Sequence, residues 1–206
     1  MGGAGIGWFA AGFQHLLYRT QEQRDARAAG RKLLALRAFL ALSCGGVAGL
    51  AVRPGHYDPG PAALTVVFGL VFCVIASTDF DLRLIPDRIS LPSMGLALAL
   101  CWAWPDRSVT DILLGGGFGL AVAIALVGLG FVFGGALGIG DGKLILLIGL
   151  VSGWPAVMSA VLYGIVIAGA VAAVLLLRKG RHSAYAYGPY LALGGLIVLL
   201  WPERFI

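Results

Sequence analysis

The chain has 206 residues, of which 59% are hydrophobic and 12% charged, with a mean hydropathy of +0.92. Soluble domains carry about 25% charged residues, so this composition excludes an ordinary water-soluble enzyme and points to a polytopic membrane protein. The net charge of +5 is read as membrane topology and not as affinity for nucleic acid.

In chain order, "MGGAGIGWFAAGFQHLL" offers a short first span. It carries no basic residue ahead of its apolar run, which argues against a cleaved signal peptide. The hydrophilic stretch "YRTQEQRDARAAGRK" at 18–32 follows as a charged connector. Further spans are expected at 33–52, 62–78, 89–104, 111–136, 143–154, 155–177 and 186–201. A spanning helix needs about 20 residues, and 143–154 is too short, rising only about 18 Å. It is expected to be a half-helix turning back at "SGWP", shielded from lipid by its neighbours. Pro189 suits the first turn of the last helix, where its missing N–H costs little.

If alternate loops are cytoplasmic, one side receives Arg19, Arg24, Arg27, Arg31, Lys32, Arg83, Arg88, Lys143, Arg178, Lys179 and Arg181, with Arg37 able to snorkel to it. The other side keeps Arg53, Arg107 and Arg204. Twelve against three supports eight crossings with both termini outside. The expected fold is therefore all-α, a polytopic membrane helical bundle of about eight spans, forming one membrane-embedded domain over 1–206.

The 32 glycines suit close packing of membrane helices. "CGGVAG" at 44–49, "GGGFG" at 115–119 and the pair Gly130/Gly134 are read as helix contacts. "GGGFG" lacks the Lys-Ser/Thr of a nucleotide loop. Cys44, Cys73 and Cys101 lie apart, each inside an expected span, and read as small packing residues. His15, His56 and His182 have no ligand partner at i+3 or i+4. Neither a metal nor an organic cofactor is expected.

Ten carboxylates occur, at Glu22, Asp25, Asp58, Asp79, Asp81, Asp87, Asp106, Asp111, Asp141 and Glu203. Most fall in loops, where a solvated charge needs no explanation. Asp79 directly ends the apolar run "LTVVFGLVFCVIAST", and Asp141 opens "GKLILLIGLV". Both are expected at helix ends on the same membrane boundary, where an ionised Asp costs less than the roughly 2.5–3.5 kcal/mol of the midplane. Two carboxylates brought close cannot both ionise readily and share a proton. Such a dyad can activate water and protonate a peptide carbonyl. Gly138 and Gly140, lacking Cβ, would let a substrate backbone come close to Asp141.

"STDFDLRLIPDRISLP" at 77–92 resembles the first aspartate motif of the type IV prepilin peptidases: an aspartate, five variable residues, then Ile/Leu-Pro-Asn/Asp and Leu-Pro. "GIGDGKL" at 138–144 is similar to that family's GxGD motif, and "YGPYLALGGL" at 187–196 resembles its Phe-Gly-Pro segment. The resemblance covers most of residues 60–200. It implies that Asp79 and Asp141 are the catalytic pair, with Asp81 out of register. It also implies an aspartic endopeptidase, without cofactor, that cuts the basic leader from prepilins or pseudopilins of type IV pili or type II secretion. Cleavage is implied after a glycine, at the cytoplasmic face of the inner membrane. Pro86, Gly188 and Pro189 fall in the matching motifs as supporting positions. Lys143 is read as a snorkelling anchor that could also position a substrate carbonyl, and Asp87 as a loop charge or helix cap. Larger bifunctional members carry two CxxC pairs after the first span and also methylate the new N-terminus. The loop at 18–32 has no cysteine, so peptidase activity without N-methylation is expected.

Other readings use the same residues. A GxGD protease for other targets shares the chemistry, although "IPD" and "YGP" favour prepilins. A proton-coupled transporter would need its carboxylates near the midplane. A catalytically silent assembly scaffold has no need of both aspartates.

Overall fold

A computed structural model of the chain describes residues 29–52, 58–82, 85–132, 139–179 and 187–202. Seven α-helices are present among them: α1 (Ala29–Ala51), α2 (Pro59–Leu82), α3 (Asp87–Ala99), α4 (Val109–Val132), α5 (Ile139–Ser152), α6 (Ala156–Lys179) and α7 (Gly188–Leu200). Each corresponds to one expected span. The short first span at 1–17 lies outside the described residues.

Among the described residues three helices are long and apolar enough to cross a membrane, over Pro59–Phe80, Val109–Gly128 and Ala156–Val174. The expected helix 89–104 is shorter than the sequence suggests. It begins at Asp87, once Pro86 has taken an extended conformation, and ends at Ala99; a 3-10 turn, Cys101–Ala103, follows. α2 extends one turn beyond the expected end at 78, which brings Asp79 into its last turn. At the start of α4 the "SVTD" sequence forms a capping box. Ser108 N–H donates to Asp111 Oδ2 at 2.9 Å, and Asp111 N–H donates to Ser108 Oγ at 3.2 Å.

The bundle is organised around α5. From Gly140 to Ser152 this helix has no exposed residue, being packed by α3, α4, α6 and α7. Leu144, Leu147, Ile148 and Val151 are completely buried, in one apolar cluster with Phe68, Phe72 and Ile75 of α2 and Leu191 and Leu199 of α7. Fourteen residues rise about 21 Å, well short of the roughly 30 Å hydrocarbon core. Enclosure by protein makes that length tolerable, because a helix packed on all sides by its neighbours need not span the hydrocarbon.

The enclosure depends on glycine. A Cβ on Gly115 would stand 2.5 Å from the Gly149 carbonyl oxygen, and one on Gly119 2.8 Å from that of Ile145. α4 and α5 therefore touch backbone to backbone, as "GGGFG" leads one to expect, although Gly117 of the same motif faces open space. "CGGVAG" behaves differently. Gly46 and Gly49 have nothing within reach of an added Cβ, so they are not contact positions. The α1–α2 approach uses Gly69 against Val47 instead. In that same interface Cys44 and Cys73 are both buried in one apolar cluster with Leu40 and Val47.

The far end of α5 corrects a second expectation. Arg107 is not a loop charge at the outer surface but is buried, with 7% of its surface exposed. Its guanidinium lies 4.4 Å from the centre of the Trp104 ring and donates from Nη1 to the Val151 carbonyl. The last carbonyls of a helix have no partner within the helix, and here a side chain from the connection between α3 and α4 supplies one. Gly153 then takes a positive φ of 72°, and the Trp154 N–H donates to the Asp111 carbonyl at 2.8 Å. This is the turn at "SGWP", and α6 starts immediately after it.

Candidate active site

The two aspartates singled out by sequence come from opposite kinds of helix end. Asp79 sits in the last turn of the long α2, and Asp141 in the first turn of the short α5. Asp79 is 6% exposed, whereas Asp141 is half-buried. Asp141 precedes the apolar run of α5 and lies outside the three spans. Its carboxyl is pushed up to about 6, first by burial and then by the negative charge of Asp79. Two like charges that sense each other disfavour ionisation of both, and the one that holds its proton more tightly is Asp141.

The third motif closes on the first. The Gly188 N–H, at the start of α7, donates to Asp79 Oδ2 at 3.0 Å across 109 residues of sequence. Gly188 is buried, and a Cβ there would stand 2.6 Å from Asp79 Oδ2 and 2.9 Å from its Cγ. The contact exists because residue 188 has no side chain. Pro189 stands in the first turn of α7, the expected position, where an absent N–H costs nothing.

The "IPD" segment packs on the second motif. Ile85 is buried, and the missing Cβ of Gly140 faces it at 3.4 Å. That is ordinary contact distance, so Gly140 adjoins the Ile85-Pro86 segment without being sterically compelled to be glycine. Asp87, in the first turn of α3, pairs with Lys143 at 2.5 Å from Oδ1 to Nζ. Lys143 therefore links α5 to α3, a partnership that reading it as a snorkelling anchor missed. Pro86, the N-cap of α3, receives no side-chain capping bond, and Asp87 uses its carboxylate on Lys143. The spacing offers no signal for this ion pair, since 56 residues separate its members. Gly138 lies outside the described residues, as does the side chain of Asp81.

Around the site Thr78 Oγ donates back to the Val74 carbonyl at 2.6 Å, and Ser93 Oγ to that of Ile89 at 2.7 Å. These hydroxyls are bound to their own helices. Among the described residues no group of three His, Cys, Asp or Glu side chains is arranged to hold a metal ion. What converges is a buried carboxylate held by a backbone amide, a second carboxyl with raised affinity for a proton, and an ion pair fixing the segment between them. A carboxyl that keeps its proton close to neutral pH, beside a carboxylate held by an amide, has the makings of a general acid next to a general base.

Residues 66–174 match the type IV leader peptidase family. The matched region contains Asp79 and Asp141, and Gly188 and Pro189 lie beyond it. The chain is 30% identical over 169 residues to a prepilin leader peptidase/N-methyltransferase of Stutzerimonas stutzeri, covering 79% of this chain and 57% of that protein. A protein of the same description from Pseudomonas aeruginosa is 30% identical over 148 residues, covering 69% and 50%. One from Pseudomonas putida is 34% identical over 131 residues, covering 61% and 45%. The chain thus spans about half the length of the curated relatives it matches. No solved structure matches it. With the family match extending over more than half its length, and both aspartate motifs inside the matched region, the chain belongs to the type IV leader peptidase family.

Proposed function

We propose that this protein is an integral-membrane aspartic endopeptidase that removes the leader from type IV prepilins or pseudopilins, with Asp79 and Asp141 as its catalytic pair. The observation that carries the reading is the bond from the Gly188 N–H to Asp79 Oδ2, which joins the third motif to the first, with the charge of Asp79 felt at Asp141 beside it. One carboxylate takes a proton from water, and the water oxygen bonds to the peptide carbonyl carbon. The other carboxyl gives its proton to the carbonyl oxygen, forming a tetrahedral diol. Collapse returns a hydroxyl proton to the second carboxyl, the first protonates the nitrogen, and the C–N bond breaks. Water and one peptide bond are consumed, and one carboxyl and one amine terminus are produced.

The wider reading is a single membrane-embedded unit of about eight spans, in the inner membrane, with its site at the cytoplasmic face. The excess of Lys and Arg on one side of the expected topology supports that orientation. Cleavage would follow a glycine, and the new N-terminus would be left unmethylated. Location at helix ends also favours a peptidase over a proton relay, which would need carboxylates near mid-membrane.

The test is cleavage of a prepilin reporter in membranes by wild type, Asp79→Ala, Asp141→Ala and Asp81→Ala, with the mass of the new N-terminus read in parallel. Loss in the first two variants and retention in the third is expected, with an unmodified N-terminus. Cleavage by either dyad variant removes the two-aspartate mechanism.

A further inference from the structure

The two members of the dyad are held differently. Asp79 Oδ2 accepts a hydrogen bond from a backbone amide that can only donate. That amide opens α7, where the first N–H groups are unpaired within the helix and carry its positive end. A donor aimed at a carboxyl favours its ionised form, and such charge-assisted bonds are about twice as strong as neutral ones. Burial favours a proton on both, and Asp79 is the more deeply buried, so it is the amide that sets the two apart; at Asp141 the charge of Asp79 adds to burial in favouring the proton. Among the described side chains, the other titratable groups on neighbouring elements are Tyr187 at the N-cap of α7 and Tyr190 in its first turn, exposed Arg88 on α3, and Lys143 with Asp87, which are engaged with each other.

We infer that Gly188 makes the dyad unequal: its N–H keeps Asp79 as the carboxylate that takes the proton of water, and Asp141 is the acid that protonates the peptide carbonyl. The assignment rests on the peptidase reading, and it makes Gly188 a positioning residue. A Cβ there would stand 2.6 Å from the Asp79 oxygen, so a larger residue would push the carboxylate off the amide.

The experiment reads protons directly. The full chain, in lipid nanodiscs without substrate, is examined by difference infrared at about pH 5, where ordinary carboxyls are mostly ionised. The protonated-carboxyl band is expected to vanish in Asp141→Asn and to persist in Asp79→Asn. Gly188→Ala introduced into Asp141→Asn should bring the band back, now on Asp79. A band that survives in Asp141→Asn alone overturns the assignment.

In cleavage assays Gly188→Ala should lose about a hundredfold in kcat with KM nearly unchanged, the scale of a catalytic group displaced by about 1 Å. Gly69→Ala, whose added methyl meets Val47 and not the site, is the packing control. It should lower thermal stability and leave the band alone. Equal behaviour of the two glycine variants refutes a positioning role. If Gly188→Ala does not fold, the two Asn variants decide by themselves. If wild type cuts no prepilin reporter, the peptidase reading falls, while the infrared bands still decide which aspartate carries the proton.

Discussion

Gly115→Ala isolates the seam on which the position of Asp141 depends. The added Cβ would stand 2.5 Å from the Gly149 carbonyl oxygen, about 0.9 Å inside the 3.4 Å at which ordinary contact begins. Two further backbone atoms, the carbonyl carbon and Cα of Gly153, lie at 2.7 and 2.8 Å. Every obstacle is main chain, so no flexible side chain can swing aside and α5 itself must move. Overpacking of this kind costs about 1–3 kcal/mol, and the rigid surroundings argue for the upper end. Ala gains back about 1 kcal/mol over Gly in helix propensity. The net loss of about 2 kcal/mol corresponds to a fall in Tm of about 4–8 °C for a chain of this size. Gly117→Ala, two residues away and facing open space, collects the propensity gain alone and should raise Tm by about 2–4 °C. Thermal unfolding of both variants in one detergent, together with leader cleavage, is the assay. A shift of α5 by nearly 1 Å should also cost Gly115→Ala about a hundredfold in cleavage. If Gly115→Ala melts at or above Gly117→Ala, the backbone seam does not hold α5.

The Asp141 carboxyl, raised from 3.8 to about 6, binds a proton more tightly folded than unfolded. Its contribution to stability is therefore fully present below about pH 4 and is lost as pH rises through 6. Asp141→Asn should abolish that part of the pH dependence and leave the protein more stable than wild type at pH 7.5, as read by melting across a pH series. Arg107→Met removes the donor to the Val151 carbonyl and the stacking on Trp104. It should cost about 1–3 kcal/mol for the stranded carbonyl, with Arg107→Lys failing to restore it because the planar fork is lost. Urea titration reads both variants. Lys143 and Asp87 form a largely solvated pair, so a double-mutant cycle of their alanine variants should give a coupling of about 1 kcal/mol or less. A coupling several-fold larger would mean that the pair is far better shielded than its exposure indicates.

The order of the helices and the placing of Asp79 and Asp141 at helix ends could be read from sequence because both are local. An apolar run that ends on Asp79 and another that begins after Asp141 are visible without knowing what lies opposite them. Partnerships were not visible. "GGGFG" and "CGGVAG" are both rich in small residues, yet Gly115 and Gly119 of the first meet a neighbouring backbone while Gly46 and Gly49 of the second face open space. Small residues permit close approach but do not say on which side a neighbour will come. Arg107 was assigned by its position between apolar runs, and counting charges by loop takes no account of an arginine that turns inward onto a helix end. The same limit hid the bond from Gly188 to Asp79: its motif was noticed, but a backbone N–H leaves no trace in a one-letter code.

The enclosure of α5 separates the two aspartates in what they can sense of the bilayer. α2 carries Asp79 at the end of a helix long enough to cross, so its depth and tilt answer to hydrocarbon thickness. α5 has no exposed residue from 140 to 152, and lipid chains have nothing on it to grip. The depth of Asp141 is set by protein contacts alone. Thicker or thinner bilayers would therefore act on the pair of aspartates from the Asp79 side, transmitted through a helix long and apolar enough to cross.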